Sequence, residues 1–139
     1  MNDLPSDILE SFTKIQEGIE LYLRYEMKKR NITIDQEALQ YTFRHLISAE
    51  PLSETKETIC LKMIEILKDE KYIINTFKNA MRIKTMLMGK AGMMMEGMNL
   101  RMNLLNLGIQ ISEDKTELPD PNVFIVSTEQ FYEYCKNNY

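Results

Sequence analysis

The stretch of residues 73–107 places the strongest constraint on how this 139-residue chain can fold. It contains eight of the eleven methionines and three of the five glycines. In heptad register, nine of ten core positions are apolar: Ile74, Met81, Met88, Met95 and Met102 in one series, and Phe77, Lys84, Ala91, Met98 and Leu105 in the other. An apolar seam that repeats every 3.5 residues lets one helix lie along another. The pattern therefore predicts one long Met-rich helix, continuous through residues 89–92.

Three further helices are predicted before this stretch, because apolar residues recur there at spacings of three and four. The first covers residues 7–30. The second begins at residues 33–36, where Thr33 and Gln36 form a reciprocal capping pattern, and ends before Pro51. The third covers residues 54–69, with Ser53 as its cap. A turn is expected at residues 68–71.

The C-terminal part predicts a different local structure. Gly108 stands where a helix C-terminal glycine belongs, because glycine adopts positive φ without strain. Residues 109–112 and 122–126 are β-prone and are expected to pair as a hairpin. A reciprocal capping pattern at residues 127–130 then predicts a terminal helix.

The expected fold is therefore mainly α: four to five helices around a long Met-rich central helix, with a small C-terminal β-hairpin and terminal helix. A length of 139 residues is typical of one domain. We expect a single domain over residues 1–139, with possible sub-structure into a helical part, 1–70, and the remainder, 71–139.

Composition and motifs exclude several functional classes. No apolar run is long enough for a membrane span, because Lys84, Lys90, Glu96 and Arg101 interrupt the most hydrophobic stretch. The N-terminal residues lack the basic start and apolar run of a secretory signal, so a cytoplasmic or otherwise intracellular location is expected. No nucleophile, phosphate-loop or metal-binding motif is present. The sequence predicts a protein that is not an enzyme, with no cofactor, no metal and no small-molecule substrate.

A methionine-rich helix face favours protein–protein interaction, because the unbranched, polarizable side chain adapts to irregular apolar partners. The expected function is that of a small adaptor or structural component of a larger complex, which uses the face of residues 81–105 for self-association or for an apolar partner protein. Methionine thioethers can bind Cu(I), but soft-metal sites usually add Cys or His, and residues 73–107 contain neither. The candidate interface residues are Phe77, Met81, Met88, Met95, Met98, Met102 and Leu105.

The same stretch also carries positive charge, which supports an alternative function. Residues 71–106 contain six basic side chains and one acidic side chain, whereas both flanks are acidic. The flanks could fold against this segment and neutralise it, or the segment could present a surface for phosphate or for an acidic partner.

A GXXG sequence, Gly89-Lys90-Ala91-Gly92, lies within this basic segment, and the region from residue 71 onward resembles the KH family of RNA-binding domains. The resemblance implies strands at 71–74, 109–112 and 122–126, helices at 76–88, 93–106 and 128–138, and a loop at 89–92 that holds nucleic-acid phosphates. The alternative function is therefore a nucleic-acid-binding module. Its candidate binding residues are Lys78, Arg82, Lys84, Gly89, Lys90 and Gly92.

Overall fold

A computed structural model describes residues 6–48, 54–90, 94–106, 108 and 120–139. These residues form six helices and no strand, so the predicted mainly α class is confirmed within the described ranges, whereas the predicted number of four to five helices is too low. The helices are α1 (Ser6–Lys29), α2 (Gln36–Ser48), α3 (Glu57–Asp69), α4 (Lys71–Lys90), α5 (Met94–Asn106) and α6 (Pro121–Asn138).

The core is organised around α1, which packs most extensively against α6 and also contacts α3 and α4. On the other side of the molecule, α5 packs against α2 and α4, and α2 packs against α3. The inward side chains of these helices form one hydrophobic cluster, in which Ile19, Leu23, Leu67 and Phe77 are almost fully buried. Burying a side chain of this size stabilises a fold by about 1.5–3 kcal/mol. The buried residues of α1 extend from Ile8 to Met27, so this helix contributes to the core along most of its length.

The predicted end of α1 is confirmed, and its geometry explains why the helix stops there. Asn31 adopts a left-handed conformation with φ of 59°. Its backbone N–H donates to the Lys28 carbonyl at 3.2 Å, and the Ile32 N–H donates to the Met27 carbonyl at 2.8 Å. This pair of hydrogen bonds is the Schellman motif, which satisfies the last carbonyls of a helix.

Charged groups then join the end of α1 to the end of α3. The Arg30 guanidinium lies 3.2 Å from a Glu26 carboxylate oxygen and 2.9 Å from an Asp69 carboxylate oxygen. The Tyr22 hydroxyl donates to the Ile66 carbonyl at 2.9 Å in the buried space beside this pair. Burial, followed by the nearby Glu26 carboxylate, raises the pKa of Tyr22 to about 12, so its hydroxyl remains a hydrogen-bond donor at neutral pH.

The predicted start of α2 is corrected by two residues. Thr33 and Gln36 do not form the expected reciprocal cap, because α2 begins at Gln36. Asp35 is the capping residue instead: its Oδ1 accepts the Ala38 N–H at 3.1 Å. The same carboxylate lies 2.6 Å from the Lys56 amine, just before α3. Asp35 therefore caps α2 and also pairs with Lys56 beside the start of α3. Thr33 has no charge with which to form such an ion pair.

The predicted start of α3 is also corrected: the helix begins at Glu57 and not at residue 54, so Lys56 and not Ser53 occupies the cap position, and the Lys56 side chain makes no capping hydrogen bond. Ser53 itself lies outside the described residues.

The predicted continuous Met-rich helix is wrong. The segment forms two helices, α4 and α5, which pack against each other. In one straight helix the two halves could not pack against each other. Each residue advances about 1.5 Å along the helix axis, so the two halves would lie end to end. Residues 91–93, which connect the two helices, lie outside the described residues. The end of α5 matches the prediction: Gly108 has φ of 81°, and its N–H donates to the Leu105 carbonyl.

The predicted C-terminal hairpin is also wrong, because residues 122–126 are helical and belong to α6. Asp120 caps this helix by accepting the Asn122 N–H at 2.7 Å, and Pro121 occupies its first turn. Proline at that position has no N–H to leave unsatisfied, and its fixed φ suits the helix. These two start signals, together with burial of Phe124 against Phe12 at a ring separation of 5.5 Å, outweigh the β-propensity of the Val-Phe-Ile-Val run. The predicted partner strand, 109–112, lies outside the described residues.

The helix α6 is held on α1 by close packing at Gly18. A methyl group built at Gly18 would lie 2.8 Å from the Phe131 ring and 3.2 Å from the Cys135 sulfur. The absence of a side chain at Gly18 therefore allows the two helices to approach closely. At the far end of α6, the ring of Tyr139 contacts the rings of Tyr22 and Tyr25 at centroid separations of 5.1 and 5.3 Å.

Candidate interaction surface on α5

Two opposite faces of α5 are apolar. Leu100 and Leu104 are 1% and 0% exposed and face the core between α2 and α4. On the other side, Met95, Met98, Met102 and Leu105 are 68%, 62%, 57% and 48% exposed. A helix that is apolar on opposite faces normally has a partner on each of them. In the described part of the chain, only the inner face is covered.

The four exposed side chains form one stripe, which we call the outer α5 face. Their spacings are three, four and three residues, so they lie on the same side of the helix and follow a heptad pattern. The helix carries only two charged residues, Glu96 and Arg101. The outer α5 face is therefore a contiguous apolar strip on a helix without net charge.

The predicted interface residues do not all belong to this surface. Phe77 and Met81 are 1% and 2% exposed and lie in the core on α4. They were predicted on the same seam as Met98 only because the helix was assumed to be continuous. The side chain of Met88 lies outside the described part of the structure. The interaction surface expected from the sequence is thus reduced to Met95, Met98, Met102 and Leu105.

The cations of the nucleic-acid hypothesis lie on different sides of α4. Lys78 and Arg82 are one turn apart and partly exposed, and the Arg82 guanidinium donates to the Asn79 side-chain oxygen at 2.9 Å. Lys84 faces α1 instead, with its amine 6.0 Å from the centroid of the Phe12 ring. Burial lowers the pKa of the Lys84 amine. Lys84 therefore does not share one face of α4 with Lys78 and Arg82.

The structure describes half of the GXXG segment and two of the three strands that the KH resemblance implies. Gly89 and Lys90 are the last two residues of α4, and Ala91 and Gly92 lie outside the described residues. Residues 71–74 and 122–126, which the resemblance implies as strands, are helical in α4 and α6. The KH-type arrangement is therefore wrong at these two places, while nucleic-acid binding itself stays an untested prediction.

The structure contains a second feature, a cavity of about 220 Å³ between α1 and α4. Its floor consists of four buried apolar side chains, and its rim includes Leu9, Phe12 and Lys84. Sequence reasoning did not find this α1–α4 cavity, because it depends on how two helices cross. The only signal was Lys84, the one polar residue in the two heptad series. The floor residues are Ile15, Ile19, Phe77 and Met81.

The two cysteine side chains lie in the hydrophobic core. Cys60 and Cys135 are free thiols and fully buried. Burial raises the pKa of the Cys135 thiol to about 12, which disfavours the thiolate that nucleophilic chemistry requires. Among residues 6–48, 54–90, 94–106 and 120–139, no three His, Cys, Asp or Glu side chains come together as metal ligands would.

None of the described helices is long and apolar enough to cross a membrane. Comparisons with protein-family models, curated proteins and solved structures gave no match.

Proposed function

We propose that this chain is a non-catalytic interaction protein that pairs with a second copy of itself through the outer α5 face. The observation that supports the proposal is the exposure of Met95, Met98, Met102 and Leu105 on a helix whose opposite face is already buried. Single exposed apolar side chains are ordinary on protein surfaces, whereas contiguous patches mark interaction sites.

A second copy is the partner that suits this surface best. In a two-fold pair the same patch is used on both subunits, so a stripe in heptad register can interdigitate with itself. Glu96 and Arg101 give α5 one charge of each sign, so two copies of the helix do not repel each other. Methionine side chains can adjust to one another across such a seam because they have three rotatable bonds.

The expected affinity is modest. Each copy would bury four side chains that are now about half exposed, at roughly 1 kcal/mol each, so a dimer gains about 8 kcal/mol. Association costs at least about 4 kcal/mol in lost translational and rotational freedom. The remainder is at most about 4 kcal/mol, which corresponds to a dissociation constant of about 1 mM or weaker. The dimer should therefore become a large fraction of the protein only as the chain concentration approaches about 1 mM.

Sedimentation velocity over a concentration series tests this proposal. The wild-type chain should shift from monomer to dimer as concentration rises, and the double variant Met98→Lys/Met102→Lys should remain monomeric. Val126→Lys is the matched control, because Val126 is 52% exposed on α6, away from the outer α5 face. It should dimerise like the wild type.

The dependence on salt concentration distinguishes self-association through an apolar interface from nucleic-acid binding through phosphate contacts. An apolar interface should persist or strengthen as salt rises, whereas nucleic-acid binding weakens steeply. A wild-type chain that stays monomeric throughout the series, or a double variant of unchanged mass, would contradict self-association. A partner of different sequence would then be the remaining occupant for this face.

A further inference from the structure

The α1–α4 cavity combines an apolar interior with one positive charge at its edge. Ile15 and Ile19 of α1 and Phe77 and Met81 of α4 form the floor, and all four are at most 3% exposed. Among the described residues that line it, Lys84 is the only charged one. Concave, mostly apolar sites with a few polar groups are typical of small-molecule binding. None of the four residues of the outer α5 face lines the cavity, so ligand binding there does not depend on the proposed dimer.

We propose that the α1–α4 cavity binds an apolar molecule with a carboxylate head group, such as a medium-chain fatty acid. The hydrocarbon part packs on the floor between α1 and α4. The carboxylate lies at the rim, where it pairs with the Lys84 amine.

The size of the cavity suits such a ligand. A closed apolar cavity of about 150 Å³ is sufficient to hold benzene, and the α1–α4 cavity measures about 220 Å³. Its rim is open beside Leu9, which is 44% exposed. A chain of moderate length can therefore enter with its apolar end first and keep its head group near solvent.

The position of Lys84 selects the charge of the ligand. Its amine is 6.0 Å from the centroid of the Phe12 ring, and Phe12 also lines the cavity. Burial lowers the pKa of this amine, whereas a carboxylate placed within about 4–6 Å of an amine favours its charged form. None of the described lining residues is Asp or Glu, so none of them repels an anionic head group.

The ligand pair octanoate and octanamide tests the proposal, because the two molecules have nearly the same shape and differ in charge. Titration is followed by NMR of ¹³C-labelled methionine methyl groups. Octanoate should shift the Met81 signal saturably and leave those of Met98 and Met102 unchanged. Since a hydrogen bond to a charged group contributes about 1.5–3 kcal/mol, octanoate should bind at least about tenfold more tightly than octanamide.

Variants then assign the preference to Lys84. Lys84→Met keeps the apolar stem and should make the two ligands bind equally, whereas Lys84→Arg should retain the preference for octanoate. Lys78→Met is the control, because Lys78 lies on α4 outside the cavity lining. If Lys84→Met does not fold, the wild-type ligand comparison and Lys84→Arg still decide the question.

Three results would overturn the proposal. The first is the absence of saturable shifts at Met81, and the second is equal binding of octanoate and octanamide to the wild type. The third is a shift confined to the methionines of the outer α5 face, since that result indicates adsorption of hydrocarbon to an exposed apolar surface. None of these results bears on whether the chain dimerises.

Discussion

Replacing Gly18 by alanine should destabilise the protein, although alanine is the better helix former. The added methyl group would lie 2.8 Å from the Phe131 ring and 3.2 Å from the Cys135 sulfur. Both neighbours are at most 1% exposed and cannot swing into solvent. Overpacking of this kind costs about 2–3 kcal/mol. The gain in helix propensity offsets about 1 kcal/mol, which leaves a net loss of about 1–2 kcal/mol in the free energy of unfolding.

Thermal and urea unfolding measure this loss. For a chain of this length the entropy of unfolding is about 0.3 kcal/mol/K, so the Tm should fall by about 3–7 °C. Glu17→Ala, on the exposed side of the same turn, is the control and should change stability by less than about 0.5 kcal/mol. In a Phe131→Leu background the methyl group has more room, and the loss caused by Gly18→Ala should shrink. A Gly18→Ala protein as stable as the wild type would refute the close approach of α1 and α6.

Two further predictions concern polar contacts between helices. Tyr22→Phe removes the buried hydrogen bond to the Ile66 carbonyl and should lower the free energy of unfolding in urea by about 1 kcal/mol; no change would show that the bond contributes nothing. The Lys56 amine and then the Ala38 N–H hold the pKa of the Asp35 carboxyl below its usual range. The resulting stabilisation is complete above the unfolded pKa of about 3.9 and is lost as pH falls through the lower folded value. The Asp35→Asn variant keeps a side-chain oxygen that can cap α2 but lacks the charge, so the wild-type advantage at pH 7 should narrow below about pH 4; an advantage independent of pH would contradict the pairing with Lys56.

Local signals predicted the helices well where chemistry and burial agree. The first helix, the turn before Lys71 and the role of Gly108 follow from apolar spacing and from positions that favour positive φ. The start of α2 was misplaced because Thr33 and Asp35 both can cap, and only the tertiary contact of Asp35 with Lys56 decides between them.

The terminal helix shows where intrinsic propensity misleads. Residues 122–126 are β-prone by composition, but Asp120 and Pro121 form a helix start immediately before them. The buried face of α6 then includes Phe124, Thr128, Phe131 and Cys135, at helical spacing. A capping signal therefore outweighed a run of β-branched residues, because the whole segment packs on α1.

The Met-rich segment shows the limit of a heptad pattern. Phe77 and Met81 continue the same register as Met98 and Leu105, but the first pair is buried on α4 and the second is exposed on α5. A repeat in sequence does not reveal that a helix ends within it. The α1–α4 cavity could not be predicted for a related reason: its lining residues come from two helices that are far apart along the chain and meet only where α4 crosses α1.

The most direct test of the central claim is disulfide cross-linking through the outer α5 face. The two native thiols are fully buried, so single variants Met98→Cys and Met102→Cys place one accessible thiol on this face. Under mild oxidation these variants, alone or mixed, should form covalent dimers much faster than Val126→Cys on α6. Adding Met102→Lys to the Met98→Cys variant, or Met98→Lys to the Met102→Cys variant, should lower the rate of covalent dimer formation to that of Val126→Cys. Equal rates for the α5 and α6 thiols would contradict the pairing of two copies through Met98 and Met102.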